Sequence, residues 1–367
     1  MQDEAFRFRR NDFDVTNTVR VTDPASVAGE VVNIYFKLYP GSNARILHRA
    51  IDHVSQLYRG KLPDYAPCDT AYHDLQHILD VTLASARLID GYERSQEKEK
   101  RLGKEMFIFG ILVALFHDSG YLRKRGAEEN RRGAEFTLTH VSRGAKLLEN
   151  YMLETGMVAE AGIASRVIHF TGYEVPAEKI ELPSPGYRTI GNLVASADIL
   201  AQMSDRCYLE KCYDRLYTEF EIGGIASGQD EKGNKQVLFT SPQDLVIKTP
   251  QFYRSAKRRL DETLMGAYRY AEKHFGGKNL YLEAVEKNIL FAEYVIANNV
   301  DIGLLQRTPP KTPGSDLLVS ESDDRKKLVE DRRKKTGDRR KNTPSHYPAL
   351  ADRRVSAVDR RAATESK

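Results

Sequence analysis

Apolar residues recur at three- and four-residue steps through most of this chain, and no other property limits its fold as strongly. Ile46, Leu47, Ala50, Ile51, Val54 and Leu57 fall on one stripe, as a helix face packed on a core requires. Segments of the same period cover residues 73–90, 104–117, 138–154, 158–170, 188–218, 252–275 and 279–299. Turn and breaker residues separate them, among them Pro63, Pro67, Gly120, Gly156, Pro176, Pro183 and Pro185. Convincing strand pairs joined by tight-turn dipeptides are missing. The expected fold is all-α, a single helical domain over residues 41–305. Residues 1–40 read as an N-terminal arm, in which 6–20 alternates loosely enough for a short strand. The polar, glycine-rich stretch 223–235 reads as a mobile loop.

Charge divides the chain differently. From Arg307 to the end there are 17 Lys/Arg against 10 Asp/Glu, a net of +7 in a chain of +4, so the first 306 residues stand near −3. Residues 306–367 also carry few apolar side chains. Such a segment cannot bury enough surface to offset its ordering entropy, and a disordered basic tail is expected. Asp-Arg-Lys at 324 returns as Asp-Arg-Arg at 331, 338, 352 and 359, on a seven-residue grid. No apolar seam accompanies the grid, and Pro344 and Pro348 interrupt it, which excludes a coiled coil. A flexible spacer and a weak electrostatic contact to nucleic acid or an anionic surface both fit.

Three cysteines, Cys68, Cys207 and Cys212, are too few for a disulfide framework or a zinc knuckle and suit a reducing compartment. The charged start MQDEAFRFRR is followed by no apolar stretch, so no signal peptide is expected. The longest apolar run, residues 106–116, is well short of the ~20 residues that cross a bilayer. A soluble, cytoplasmic protein is expected. The 223–235 stretch lacks a P-loop pattern.

The chemistry lies in scattered His and Asp residues. His73 and His77 are four apart and share a helix face, with Asp80 three further on, where it could hold the His77 ring. The apolar run 106–116 delivers His117-Asp118 into Ser119-Gly120, where glycine can release the helix. Burying two ionisable groups there is costly unless something binds them, and a divalent cation suits an imidazole–carboxylate pair. Asp198 lies in an apolar helical frame, with Gln202 and Asp205 on the same face, where they could line the space above a metal. Asp205 also reads as the salt-bridge partner of a neighbouring Arg. His140 opens a helical segment and His169 closes another, candidate ligands of a second metal or contacts to a phosphate.

These pieces resemble the HD superfamily of metal-dependent phosphohydrolases. Tyr72-His73-Asp74-Leu75-Gln76-His77 is similar to the Tyr-His-Asn-x-x-His signature of the class I cyclic-nucleotide phosphodiesterases. The resemblance implies that His77, His117, Asp118 and Asp198 hold the principal metal and that His73 is the general acid. The order His117-Asp118, His140, His169, Asp198 is also similar to the HD-GYP group, in which extra histidines hold a second metal. Two positions depart from it: Tyr121 stands where HD-GYP proteins have Lys and class I phosphodiesterases have His, and Phe170 replaces a second His. Tyr121 and Gln202 are the candidate substrate contacts. The implied reaction is in-line hydrolysis of a phosphoester, in a nucleotide or cyclic nucleotide, with one or two divalent ions (Mn, Fe, Zn or Mg). The rival reading is a catalytically degenerate HD module that binds a nucleotide or partner in signalling, with the tail as a contact element.

Overall fold

In a computed structural model, which describes residues 9–229, 235–301 and 307–311, these periods become an all-α bundle. The helices are α1 (Pro24–Leu38), α2 (Arg45–Tyr58), α3 (Leu75–Ser95), α4 (Lys104–Phe116), α5 (His140–Glu154), α6 (Val158–Val167) and α7 (Pro185–Ser204). Then follow α8 (Tyr208–Lys211), a π turn (Cys212–Leu216), α9 (Tyr217–Ile222), α10 (Pro242–Ile247), α11 (Thr249–Arg258), α12 (Tyr270–Phe275) and α13 (Leu280–Ala297). Two three-residue strands, β1 (Ser227–Gln229) and β2 (Lys235–Val237), pair antiparallel in the stretch expected to be loop. Residues 230–234 between them lie outside the described residues. Among the described residues no helix is long and apolar enough to cross a membrane.

Two central helices organise the core. In α4 every residue from Phe109 to Phe116 is buried, so this helix needs neighbours on all sides. Helix α3 packs against α1, α4, α7 and α12. Its crossing with α12 is close because Gly91 has no side chain; a Cβ there would stand 1.8 Å from the Tyr270 carbonyl oxygen. The polar residues of α3 are correspondingly internal. Arg87 donates to Asp14 at 2.6 Å and to the Tyr281 hydroxyl at 2.9 Å, with both charged side chains 2% exposed. Removing one partner of such a buried pair costs roughly 3–5 kcal/mol, so Arg87 fastens the N-terminal segment to the core.

The domain limits differ from those expected. Residues 1–40 are not an arm in their described part. Val27, Val31, Ile34 and Tyr35 give α1 a helical stripe, and all four are buried. Ahead of α1, Phe13 and Arg20 form an isolated antiparallel bridge, and Asp14 is held by Arg87. The body also does not end at 305. Residues 307–311 lie against it, with Pro309 buried and the Pro310 carbonyl accepting from Arg215 at 2.7 Å. The Asp-Arg-Arg grid and the rest of the expected disordered tail fall at 312–367, outside the described residues.

Two expected long helices are broken. The 188–218 period splits at Asp205, whose backbone leaves the helix (φ −54°, ψ 134°) while its carboxylate accepts from the Cys207 N–H at 2.6 Å. Among the described residues the ion-pair partner of Asp205 is Lys211, at 2.6 Å, where an arginine was expected. The 252–275 period breaks where Met265 and Gly266 both take positive φ, 55° and 68°.

Candidate metal centre

Three helices bring four side chains to one buried point. Asp74 caps α3 by accepting the His77 N–H at 3.0 Å, which fixes the first turn of the helix and with it His77. The end of α4 supplies His117 and Asp118, and the middle of α7 supplies Asp198. His77 Nε2 lies 3.2 Å from His117 Nε2, 3.2 Å from Asp118 Oδ2 and 3.4 Å from Asp198 Oδ1. His117 Nε2 is 3.2 Å from Asp118 Oδ2 and 3.8 Å from Asp198 Oδ1. The tightest group is His77, His117 and Asp118, whose ligand atoms all lie within 4.8 Å of one another. Exposures run from 1% (His117) to 9% (Asp198).

The donor set fits a divalent cation. His117 Nδ1 is 2.8 Å from the Ala114 carbonyl, so Nδ1 carries the proton and Nε2 offers a lone pair. Ligand atoms bound at ~2.0–2.2 Å stand ~2.9–3.6 Å apart along the edges of a tetrahedron or octahedron, close to the spacings above. Without a cation, two imidazole nitrogens facing each other must share protons with the carboxylates. Burial disfavours charge on His77, yet hydrogen bonds to Asp118 and Asp198 bring its pKa up to about 10. His117 is raised likewise, against burial, by the Asp118 charge. Burial opposes the Asp118 charge too, but His117 and His77 hold that carboxyl well below its usual range.

The turn after Asp118 depends on a close approach. A Cβ on Gly120 would stand 1.8 Å from the His140 carbonyl oxygen, so only glycine lets the 118–121 turn press against the start of α5. Arg143 holds this turn by donating to the Gly120 and Leu122 carbonyls at 2.8 and 3.0 Å. His140 Nε2 thereby comes within 3.4 Å of Asp118 Oδ1, while its Nδ1 donates to the Thr137 carbonyl at 2.6 Å. Asp118 thus addresses His77 and His117 with one oxygen and His140 with the other.

His73 stands beside the group, with Nδ1 2.5 Å from Glu219 Oε2. The other Glu219 oxygen accepts the Tyr72 N–H at 2.5 Å. Glu219 is 1% exposed and escaped the sequence reading; it lies in α9, with no local signal to mark it. The cap Asp74 had such a signal, an Asp directly before an apolar-periodic segment. Tyr121 is buried, its ring centroid 4.6 Å from those of His73 and His140 and nearly parallel to both. Gln202 accepts from the Tyr72 hydroxyl at 3.4 Å.

Two expected relationships are absent. His169 does not join the group: no hydrogen bond, ion pair or ring contact links it to the others among the described residues. Ile168 and Phe170 take the core positions of its short 3₁₀ turn, and the His169 Nδ1 is buried without a partner. Asp80 does not hold the His77 ring either; it accepts from Gln76 at 3.5 Å. Burial and the nearby Asp205 charge push its carboxyl up to about 7.

Among known proteins, a family model described as Npun_R2479-like matches residues 28–294, most of the chain, and the chain belongs to that family. No curated protein matches it.

Proposed function

We propose that this member of the Npun_R2479-like family is a divalent-cation-dependent phosphohydrolase of HD type, acting on a phosphoester of the nucleotide class. One observation carries the reading: the buried side chains of His77, His117, Asp118 and Asp198 converge at metal-ligand spacing. When bound, the cation supplies Lewis-acid polarisation of a phosphoryl oxygen and lowers the pKa of water toward ~7.

The remaining work falls to side chains of this protein. His73 gives its Nδ1 proton to the bond with Glu219, so its Nε2 is the nitrogen that can exchange a proton with a leaving oxygen. Glu219 holds both that imidazole and the Tyr72 amide, which orients the ring toward the metal group. His140 supports the second oxygen of Asp118, and Gln202, steadied by Tyr72, is the polar group best suited to contact a base or sugar.

A second reading, a module that keeps the cation and binds a nucleotide without turnover, draws on Tyr121, whose ring covers both His73 and His140. Metal analysis by mass spectrometry, followed by turnover assays with Mn, Fe, Zn and Mg on cyclic mononucleotides, cyclic dinucleotides and nucleotides, separates the two. Metal-dependent release of phosphate or a nucleoside monophosphate supports the hydrolase. Bound metal with no turnover across the panel supports the module, and a protein that takes up no metal removes both.

A further inference from the structure

Arg215 touches two parts of the chain that are 239 residues apart in numbering between Ala71 and Pro310. Its Nη1 donates to the Ala71 carbonyl at 3.2 Å and lies 3.6 Å from Asp74 Oδ2, the carboxylate that caps α3. Its Nη2 donates to the Pro310 carbonyl at 2.7 Å. Four residues on, Glu219 holds the Tyr72 amide and His73. One helical stretch, the π turn Cys212–Leu216 continued by α9, therefore grips the 71–74 turn with two side chains, and one of these also grips the C-terminal segment. π turns recur at functional sites.

The C-terminal segment is seated by more than Arg215. Arg307 donates to the Arg206 carbonyl at 2.7 Å, the Thr308 carbonyl accepts from Asn11 at 3.1 Å, and Pro309 is buried. Asn11 in turn accepts from Arg206 at 3.1 Å, so the ledge under the segment is tied together. The chain runs on from this seat into the basic tail. The Arg215 side chain is 11% exposed, and its guanidinium has five donors in a rigid fork, suited to joining several acceptors at once.

We propose that residues 307–311 are a strap which, through Arg215, sets the position of the 71–74 turn, and that Arg215 is a positioning residue for His73. Whatever pulls on the chain beyond residue 311 lifts the strap and loosens the turn. The consequence for turnover rests on the phosphohydrolase reading; the mechanical coupling does not.

Hydrogen exchange on the full-length chain tests it. The Tyr72 and His77 amides report the turn, since they donate to Glu219 and Asp74. Three variants are compared with the wild type: Pro309→Asp, which puts a charge in the buried seat; Pro309→Ala, which keeps it apolar; and Arg215→Lys, which keeps the charge but loses the fork. Pro309→Asp and Arg215→Lys should each speed exchange at these two amides by about tenfold, as a local opening does, with α4 unchanged. Pro309→Ala should exchange like the wild type. Unchanged Tyr72 and His77 amides in both disruptive variants overturn the proposal, and so does equal acceleration throughout the core. If the protein hydrolyses nothing, the hydrolase reading fails while the exchange result still decides the strap. If it does hydrolyse, Arg215→Lys should lower kcat and leave metal content unchanged.

Discussion

His73 and Glu219 are 146 positions apart, and their side chains meet at 2.5 Å. The same carboxylate takes the Tyr72 amide, so the turn before α3 is held by its backbone and its imidazole together. Glu219 therefore fixes both where His73 stands and which ring nitrogen is free.

Glu219→Gln should separate orientation from metal binding. The amide can keep the Tyr72 bond but no longer takes the His73 proton as a carboxylate does. We expect turnover to fall by about 10- to 100-fold, the range for partners that orient a site histidine. Bound metal, measured by mass spectrometry, should match the wild type.

On the phosphohydrolase reading, the proposed ligands should behave differently from the general-acid candidate. His117→Ala and Asp118→Ala are expected to lose both metal and activity. His73→Ala should keep its metal and lose about 100-fold or more in rate. Metal analysis of the three purified variants checks this, and loss of metal from His73→Ala would show that His73 is a ligand.

Gly120→Ala should be unusually damaging for so small a change. Its Cβ would stand 1.8 Å from the His140 carbonyl oxygen and 2.8 Å from the Arg143 Cβ, both part of a packed helix start. A loss of about 1–3 kcal/mol is expected from such overpacking, read as a lower denaturation midpoint. Metal content should fall with it, because the displaced turn carries Asp118.

Asp80 sets a pH dependence of stability. Its folded pKa, about 7, lies above the ordinary value of 3.8. Below ~4 the carboxyl is protonated in both states and carries no penalty. As pH rises to about 7 the unfolded state releases the proton more readily, so stability is lost across this window. Asp80→Asn has no such proton to release. Its melting temperature relative to the wild type should therefore climb between pH 4 and 7 and level off above; a difference independent of pH would contradict the assignment.

The helical fold was legible because helix formation leaves a local trace. Residues 104–117 and 279–299, expected as helical from their period, are observed as Lys104–Phe116 and Leu280–Ala297. Helix breaks at Asp205 and at Met265-Gly266 were not legible, since each rests on a local change of backbone conformation, extended at Asp205 and left-handed at Met265-Gly266, inside an unbroken apolar period. The α1 stripe from Val27 to Tyr35 was present in the sequence and was missed among the polar residues around it.

By itself, the sequence determined which residues could ligate a cation, because His77, His117, Asp118 and Asp198 interrupt apolar helices where ionisable groups are expensive. Only the tertiary structure decided which histidines join them. His140 reaches Asp118 because Gly120 lets two segments nearly touch, whereas His169, with equal local credentials, lies in a turn whose neighbours fill the core. Glu219, Arg215 and the seat of residues 307–311 were likewise decided by packing. A hydrogen bond across 146 positions depends on how helices stack, and no spacing along the chain encodes that.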